Sequence, residues 1–142
     1  MATFTYGSAG SWNTALSTGL NSLADSSSAS SSAITPDGNP FIDVEVLLAS
    51  YTPGAGRAIE IHFLPLLSDG NYADLVAGNP ATLQDVVVVS SGASAKKGMA
   101  RRLDQPPVES SGYKIGVLNS SGSTLASSGN TVKYRTVPFQ AT

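Results

Sequence analysis

Strict alternation of apolar and polar residues marks the clearest elements of this chain. In "FIDVEVLLASY", residues 41–51, the apolar positions of one side are Ile42, Val44, Val46 and Leu48. The following segment "RAIEIHFLPLL" keeps the same period at Ile59, Ile61 and Phe63. A period of two places one side of a strand in the core and the other toward water. Because "TPGAG" supplies turn residues between the two segments, the pattern predicts an antiparallel hairpin over residues 41–64.

Four further segments carry the same signal. "VVVVSS" is rich in β-branched residues, and "KKGMARRLD", "GYKIGVLNSSG" and "NTVKYRTV" alternate between Gly, Pro, Asn and Ser boundaries. Six or seven short strands with regular turns predict an all-β fold, an antiparallel β-sandwich of jelly-roll or Greek-key type. The length of 142 residues suits one such domain. We assign residues 23–142 to the sandwich and residues 1–22 to an N-terminal arm.

The first part of the chain supports two interpretations. Trp12, Leu16, Leu20 and Leu23 fall at helical spacing behind a possible Ser11 cap. Gly19 and the many Ser, Thr and Asn residues oppose a helix. Residues 11–24 are therefore open between a short helix and a strand. The serine-rich tract "ADSSSASSSAIT", residues 24–35, is predicted to be an edge or opening strand of the sandwich, or an ordered arm leading into it, rather than a linker.

Charge is scarce and unevenly distributed. Only 13% of the residues are charged, and the net charge is −2. Residues 1–95 hold eight acids and one base, and residues 96–142 hold seven bases and two acids. Either the two halves pair their charges within one fold, or copies meet head to tail through oppositely charged faces. The overall charge argues against nucleic acid as a partner.

Several functional classes lack their usual signals. There is no cysteine, no apolar run long enough to span a membrane and no secretory signal in "MATFTYGSAG", so synthesis and retention in a cytoplasm are expected. His62 is the only histidine and is expected to be a half-exposed strand residue. Asp43, Glu45 and Glu60 could bind a hard cation, but a solvated face is the more common role of such residues. We expect no catalytic site, no metal site and no cofactor, and hence no enzyme.

Aromatic and basic residues outside the confident core are the candidates for protein contacts. "GASAKKGMARR" concentrates four bases without interleaved aromatics, which favours a protein surface over a nucleic-acid platform. Trp12 is the only tryptophan, and tryptophan is frequent among interface anchors. The predicted interface residues are Tyr6, Trp12, Tyr72, Lys96, Lys97, Arg101 and Arg102.

Three segments together resemble a known family. "IHFLPLLSDGNYAD", "MARRLDQPP" and "ASSGNTVKYR" occur in this order, and the likeness extends over roughly residues 20–137. The chain resembles a family of small virion structural proteins of tailed bacteriophages. The resemblance implies a β-sandwich component of the particle, a decoration or cement protein on the capsid surface. Its partners would be the major capsid protein of the same phage and further copies of itself, in dimers or trimers.

A second function stays open beside this one. β-Sandwiches of phage tails and fibres can bind carbohydrates or receptors, a role that requires exposed aromatic residues on a sheet face or in a groove. Aromatic residues make up only 7% of the chain, which makes a broad aromatic platform less favoured. The expected location is the capsid surface of the virion in the first case and the tail or fibre of the virion in the second, after synthesis in the cytoplasm of the bacterial host.

Overall fold

The computed structural model describes residues 3–106 and 112–141, so Pro107 of the quoted "QPP" lies outside the described residues. Within these ranges the chain forms ten β-strands and a short 3-10 helix at Thr18–Leu20. The strands are β1 (Phe4–Tyr6), β2 (Asn13–Leu16), β3 (Ser28–Ser30), β4 (Phe41–Leu48), β5 (Ala58–Pro65), β6 (Leu83–Val88), β7 (Lys96–Asp104), β8 (Tyr113–Ser120), β9 (Thr131–Val137) and β10 (Phe139–Ala141).

Eight of these strands form two four-stranded sheets. The front sheet has the order β2-β9-β4-β7, and the back sheet has the order β3-β8-β5-β6. The remaining strands, β1 and β10, pair with each other as a two-stranded ribbon. The pairings in all three sheets are antiparallel. The prediction of an all-β antiparallel sandwich is confirmed.

The predicted hairpin over residues 41–64 is wrong. Strand β4 pairs with β7 and β9 in the front sheet, and β5 pairs with β6 and β8 in the back sheet. Residues 49–57 therefore cross from one sheet to the other. Alternation specifies which side of a strand is buried and not which strand is its hydrogen-bonded neighbour, so β4 and β5 meet through their side chains across the core.

The crossing segment packs with its backbone directly against the end of β8. The Arg57 N–H donates to the Ser121 carbonyl oxygen at 3.3 Å, and the Val89 N–H donates to the Arg57 carbonyl oxygen at 2.8 Å. At Gly56 a Cβ atom would overlap the carbonyl oxygen of Ser120. This close approach requires glycine, since any side chain there would have to displace backbone.

The core lies between the two sheets and contains the residues that alternation selected. Its buried members include Ile42, Val44, Val46 and Leu48 of β4, Ile59, Ile61 and Phe63 of β5, and Tyr113, Ile115 and Val117 of β8. Full burial of an aliphatic or aromatic side chain of this size contributes about 1.5–3 kcal/mol to folding. With no disulfide available, this packing holds the two sheets together.

Residues 11–24 do not form the α-helix that was one of the two interpretations. Strand β2 pairs with β9 at the edge of the front sheet, and a single 3-10 turn follows it. Leu16 and Leu20 are buried in the core. The apolar spacing is thus satisfied by a strand followed by a tight turn, in agreement with the poor helix propensity of the surrounding residues. This part of the N-terminal segment belongs to the front sheet.

The serine-rich tract contains the edge strand β3, as predicted. β3 pairs with β8 through Ser28, Ala29 and Ser30. Beyond its end, the Ser31 N–H donates to the Ile115 carbonyl oxygen at 2.9 Å, and the Ile115 N–H donates to the Ser31 hydroxyl at 3.0 Å. A buried serine therefore continues the ladder after regular pairing has stopped, which explains why this polar tract is ordered.

Candidate functional site

The structure places six of the seven predicted interface residues at three separate locations on the surface. Arg102 pairs with a buried carboxylate, that of Asp43, on the outer side of the front sheet. Tyr6 lies against Arg102, and Trp12 lies against Arg135, the second arginine on that carboxylate. Lys97 and Arg101 are exposed along β7, at the edge of the same sheet. Tyr72 lies instead over the back sheet, beside Lys114.

Lys96 does not contribute a surface charge. Its side chain is buried, with Nζ 5.8 Å from the centre of the Tyr51 ring and donating to the Gly92 carbonyl oxygen. The ammonium group is thus held inside the molecule by a carbonyl and an aromatic ring. Among the four bases of β7, only Lys97, Arg101 and Arg102 can reach a partner.

Asp43 organises the outer side of the front sheet. It is fully buried although it occupies an outward position of β4. One Arg102 guanidinium nitrogen contacts its two carboxylate oxygens at 2.7 and 2.8 Å, and Arg135 Nε donates to it at 3.1 Å. Both arginines come from the basic half of the sequence, so the predicted pairing of the two halves within one fold is seen here.

A β-bulge explains why Arg102 faces Asp43. The register between β4 and β7 shifts between Ile42 and Val44, and Arg102 has a positive φ of 55°. Its backbone N–H leaves the ladder and donates to Asp43 Oδ1 at 2.9 Å. Because a bulge re-aims the side chain of the extra residue, Arg102 turns outward onto the carboxylate. Desolvation alone would raise the pKa of Asp43, but the hydrogen bonds from Arg102 and Arg135 outweigh it and lower that pKa.

An exposed aromatic cluster adjoins this ion-pair group. Phe139 of β10 is 4.8 Å from Phe41 and 6.1 Å from Tyr6, between ring centres, and Phe4 lies 6.2 Å from Phe139. Phe4, Tyr6 and Phe139 are 67%, 55% and 51% exposed. The Arg102 guanidinium stacks on the Tyr6 ring at 4.8 Å. We call this surface, formed by Phe4, Tyr6, Phe41, Phe139, Arg102, Arg135 and Trp12, the front face.

Every described residue of the two-stranded ribbon is exposed. A two-stranded sheet is marginally stable by itself in water. Here the rings of Tyr6 and Phe139 rest on Phe41 of the front sheet, so the ribbon is anchored while its aromatic side remains uncovered. The front face therefore combines large apolar area with fixed arginines.

A second candidate site lies on the outer side of the back sheet. Residues 66–82 fold over this sheet, and Leu75 packs so closely on Gly116 that a Cβ at residue 116 would lie 2.5 Å from its Cδ1 atom. Between this segment and β3 is a cleft of about 880 Å³. We call it the back cleft; its lining includes Ser28, Ser30, Leu64, Asp69, Asn71, Tyr72, Asp74, Leu75 and Lys114.

His62 holds the covering segment in place, and the expectation that it is half-exposed is wrong. The side chain is fully buried, with Nδ1 2.9 Å from Thr82 Oγ1 and Nε2 2.8 Å from Glu60 Oε2. The same Glu60 oxygen accepts the Gly78 N–H at 3.0 Å. His62 points to the outer side of its sheet, as alternation predicts, but residues 66–82 remove it from water.

Replacing His62 with alanine should loosen this segment. The substitution removes the buried imidazole that both Thr82 and Glu60 contact, so we expect a loss of about 2 kcal/mol in the free energy of unfolding. Limited proteolysis should show earlier cleavage within residues 66–82. Asp85→Asn is the matched control, since Asp85 contacts the backbone N–H of its own neighbour Val86. Equal cleavage rates in His62→Ala and the parent protein would contradict the role of His62.

The possible cation site does not assemble. Glu60 lies in the back sheet and Asp43 in the front sheet, where arginines occupy its oxygens. Within residues 3–106 and 112–141, no group of three His, Cys, Asp or Glu residues has the geometry to hold a metal ion. Over the same residues, none of the helical structure is long and apolar enough to cross a membrane.

Sequence reasoning missed Phe4, Phe41, Phe139 and Arg135 as members of the front face, and Asp43 as the carboxylate that holds its two arginines. One signal was present: "FTY" near one end of the chain and "PFQ" near the other both place aromatics at positions without a core pattern. A scan against protein-family models finds no match, and a search of curated protein sequences finds none either. The two surfaces of the sandwich therefore carry the functional argument.

Proposed function

We propose that this protein is a non-enzymatic structural component of a tailed-phage virion, a decoration protein that binds and stabilises the capsid through its front face. The observation that carries the proposal is the exposed aromatic cluster fixed beside Arg102. Protein interfaces are enriched in Tyr, Trp, Phe and Arg, and their strongest anchors are aromatic and arginine side chains held in fixed positions. The partner would be the major capsid protein, with copies at neighbouring lattice positions assisting one another through avidity.

The strand order supports the same role. We infer that the sandwich is a jelly roll, because eight strands in the orders β2-β9-β4-β7 and β3-β8-β5-β6 build two facing Greek keys. Viral capsid proteins and lectins both use this architecture. The low share of charged residues also suits a protein whose surface is covered by neighbours in its working state.

The test is binding to phage heads assembled without this chain. A double variant, Tyr6→Ala with Phe139→Ala, should reduce head binding about 100-fold or more, since two interface anchors are removed at once. The fold should persist because both side chains are more than half exposed. Bound protein is measured by co-sedimentation, and folding by circular dichroism and thermal unfolding.

The matched control is the double variant Val86→Ala with Val88→Ala. These two valines are also exposed, at 42% and 68%, but they belong to β6 of the back sheet. Their replacement should leave head binding unchanged. Full occupancy of heads by the Tyr6/Phe139 variant would contradict the proposal. These substitutions test the front face without disturbing the core, whereas removal of residues 1–20 would also remove the buried Leu16 and Leu20.

A further inference from the structure

The back cleft has the chemistry of a carbohydrate site. Its rim presents the hydroxyl-bearing Ser28 and Ser30 from β3, and Asp69, Asn71 and Asp74 from the segment opposite. Sugar hydroxyls both donate and accept hydrogen bonds, and this mixture of hydroxyl, amide and carboxylate groups can satisfy both roles.

Apolar groups in the same cleft could contact the C–H face of a sugar ring. Leu64 and Leu75 contribute to its lining, and Tyr72 adds an aromatic ring. Lys114 Nζ lies 4.6 Å from the centre of the Tyr72 ring, which holds the ring in a fixed position by a cation-π contact. A pyranose has a C–H face that packs on such surfaces while its edge hydroxyls reach the polar rim.

The cleft wall is preorganised. Asp69 accepts the Asn71 backbone N–H at 2.9 Å and the Asn71 side-chain amide at 3.1 Å. Leu66 and Tyr72 form an isolated antiparallel bridge, and the Ala73 N–H donates to the Pro65 carbonyl oxygen at 2.9 Å. The segment is thus a rigid extension of β5, and a ligand would not have to order it, which favours binding of a weakly interacting molecule.

The geometry points to a saccharide-binding site in the back cleft, formed by Tyr72, Asp74, Lys114 and the serines of β3, with room for two or three sugar units. The cleft volume of about 880 Å³ lies within the usual range for small-molecule sites. The back sheet faces away from the front face, so the cleft stays open when the front face is covered. The inference does not depend on what the front face binds.

The test uses the intact chain and four probes: trisaccharides of glucose, galactose, rhamnose and N-acetylglucosamine. Two-dimensional NMR should show one or more of them shifting the amide signals of residues 69–75 and Lys114, with a Kd of about 1 mM, equivalent to about −4 kcal/mol. Tyr72→Ala should weaken binding about tenfold, whereas Tyr72→Phe should retain it because the ring remains. Thermal unfolding of each variant verifies that the fold is kept.

Tyr6→Ala, on the opposite side of the molecule, is the matched control and should leave saccharide binding unchanged. Three results would overturn the inference: none of the four trisaccharides shifts the cleft signals, Tyr72→Ala binds them as tightly as the parent protein, or the cleft signals shift with protein concentration alone. The last result would identify a second copy of the chain as the occupant. Failure of this test leaves the head-binding result of the Tyr6/Phe139 variant unaffected, so the two proposals fail separately.

Discussion

Replacing Asp43 with asparagine should lower the free energy of unfolding by about 3 kcal/mol. The substitution keeps the shape of the side chain but removes the charge that Arg102 and Arg135 share. Breaking a buried ion pair from one side leaves the other charges uncompensated and typically costs 3–5 kcal/mol. The lower end applies here because both guanidinium groups are partly exposed and remain hydrated. Urea unfolding at neutral pH measures the difference.

The same substitution predicts a pH dependence. The pKa of Asp43 is lowered in the folded protein, so its contribution is fully present above the unfolded value of about 3.9 and is lost as the pH falls through the folded pKa. The unfolding free energies of the parent and Asp43→Asn should therefore begin to converge as the pH falls below about 4, and should become equal only below the lowered folded pKa of Asp43. Glu45→Gln, two residues along the same strand and partly exposed, should change stability by no more than about 0.5 kcal/mol. A parent and variant that differ equally at all pH values would contradict the role of the Asp43 charge.

Replacing Gly56 with alanine should lower the free energy of unfolding by about 3 kcal/mol, at the upper end of overpacking effects. The new Cβ would overlap the carbonyl oxygen of Ser120. That oxygen belongs to the backbone of β8, which cannot rotate away as a flexible side chain could. Relief would require the crossing segment 49–57 to separate from the back sheet, which would disturb the contacts of Arg57 with Ser121 and Val89.

Gly92→Ala is the control for the general effect of replacing a glycine with alanine. A Cβ at Gly92 would meet no atom within 4 Å, so this substitution should be neutral or slightly stabilising through the unfolded chain. Thermal and urea unfolding of both variants gives the comparison. If Gly56→Ala proved as stable as Gly92→Ala, the backbone contact between the crossing segment and β8 would not be tight.

Alternation predicted the strands and their buried sides well. Ile42, Val44, Ile59 and Ile115 all lie in the core, because a period of two has few other solutions in a folded chain. The same alternation could not predict which strands are hydrogen-bonded neighbours in a sheet. A short glycine-containing connection suits both a hairpin within one sheet and a crossing between two sheets, and the difference depends on the distant strands β7 and β8 that pair with β4 and β5.

The candidate sites were predicted in part for a related reason. Tyr6, Trp12 and Arg102 were selected as residues without a core role, and in the structure Tyr6 and Trp12 each lie against one of the two arginines that pair with Asp43. From the sequence pattern, Asp43 is predicted to be an exposed acid on the outward side of β4. Its burial depends on a bulge in β7 and an arginine from β9, which that pattern does not indicate. His62 is predicted to be half-exposed because the alternation of apolar and polar residues contains no information on the segment that covers this side chain. Contacts made by loops with distant strands leave no local pattern in the sequence.

The pairing of the strands has a consequence for how the molecule forms. β5 pairs with β6, β4 with β7, β3 with β8, β2 with β9 and β1 with β10, so each pair encloses the previous one along the chain. Closing an outer pair before the inner ones would require ordering a long loop with no contacts to offset its entropy. We expect the β5–β6 pair to form first and the enclosing pairs to form after it, in order outward. Phe4 and Phe139 then meet last, so a partly folded chain cannot present the front face.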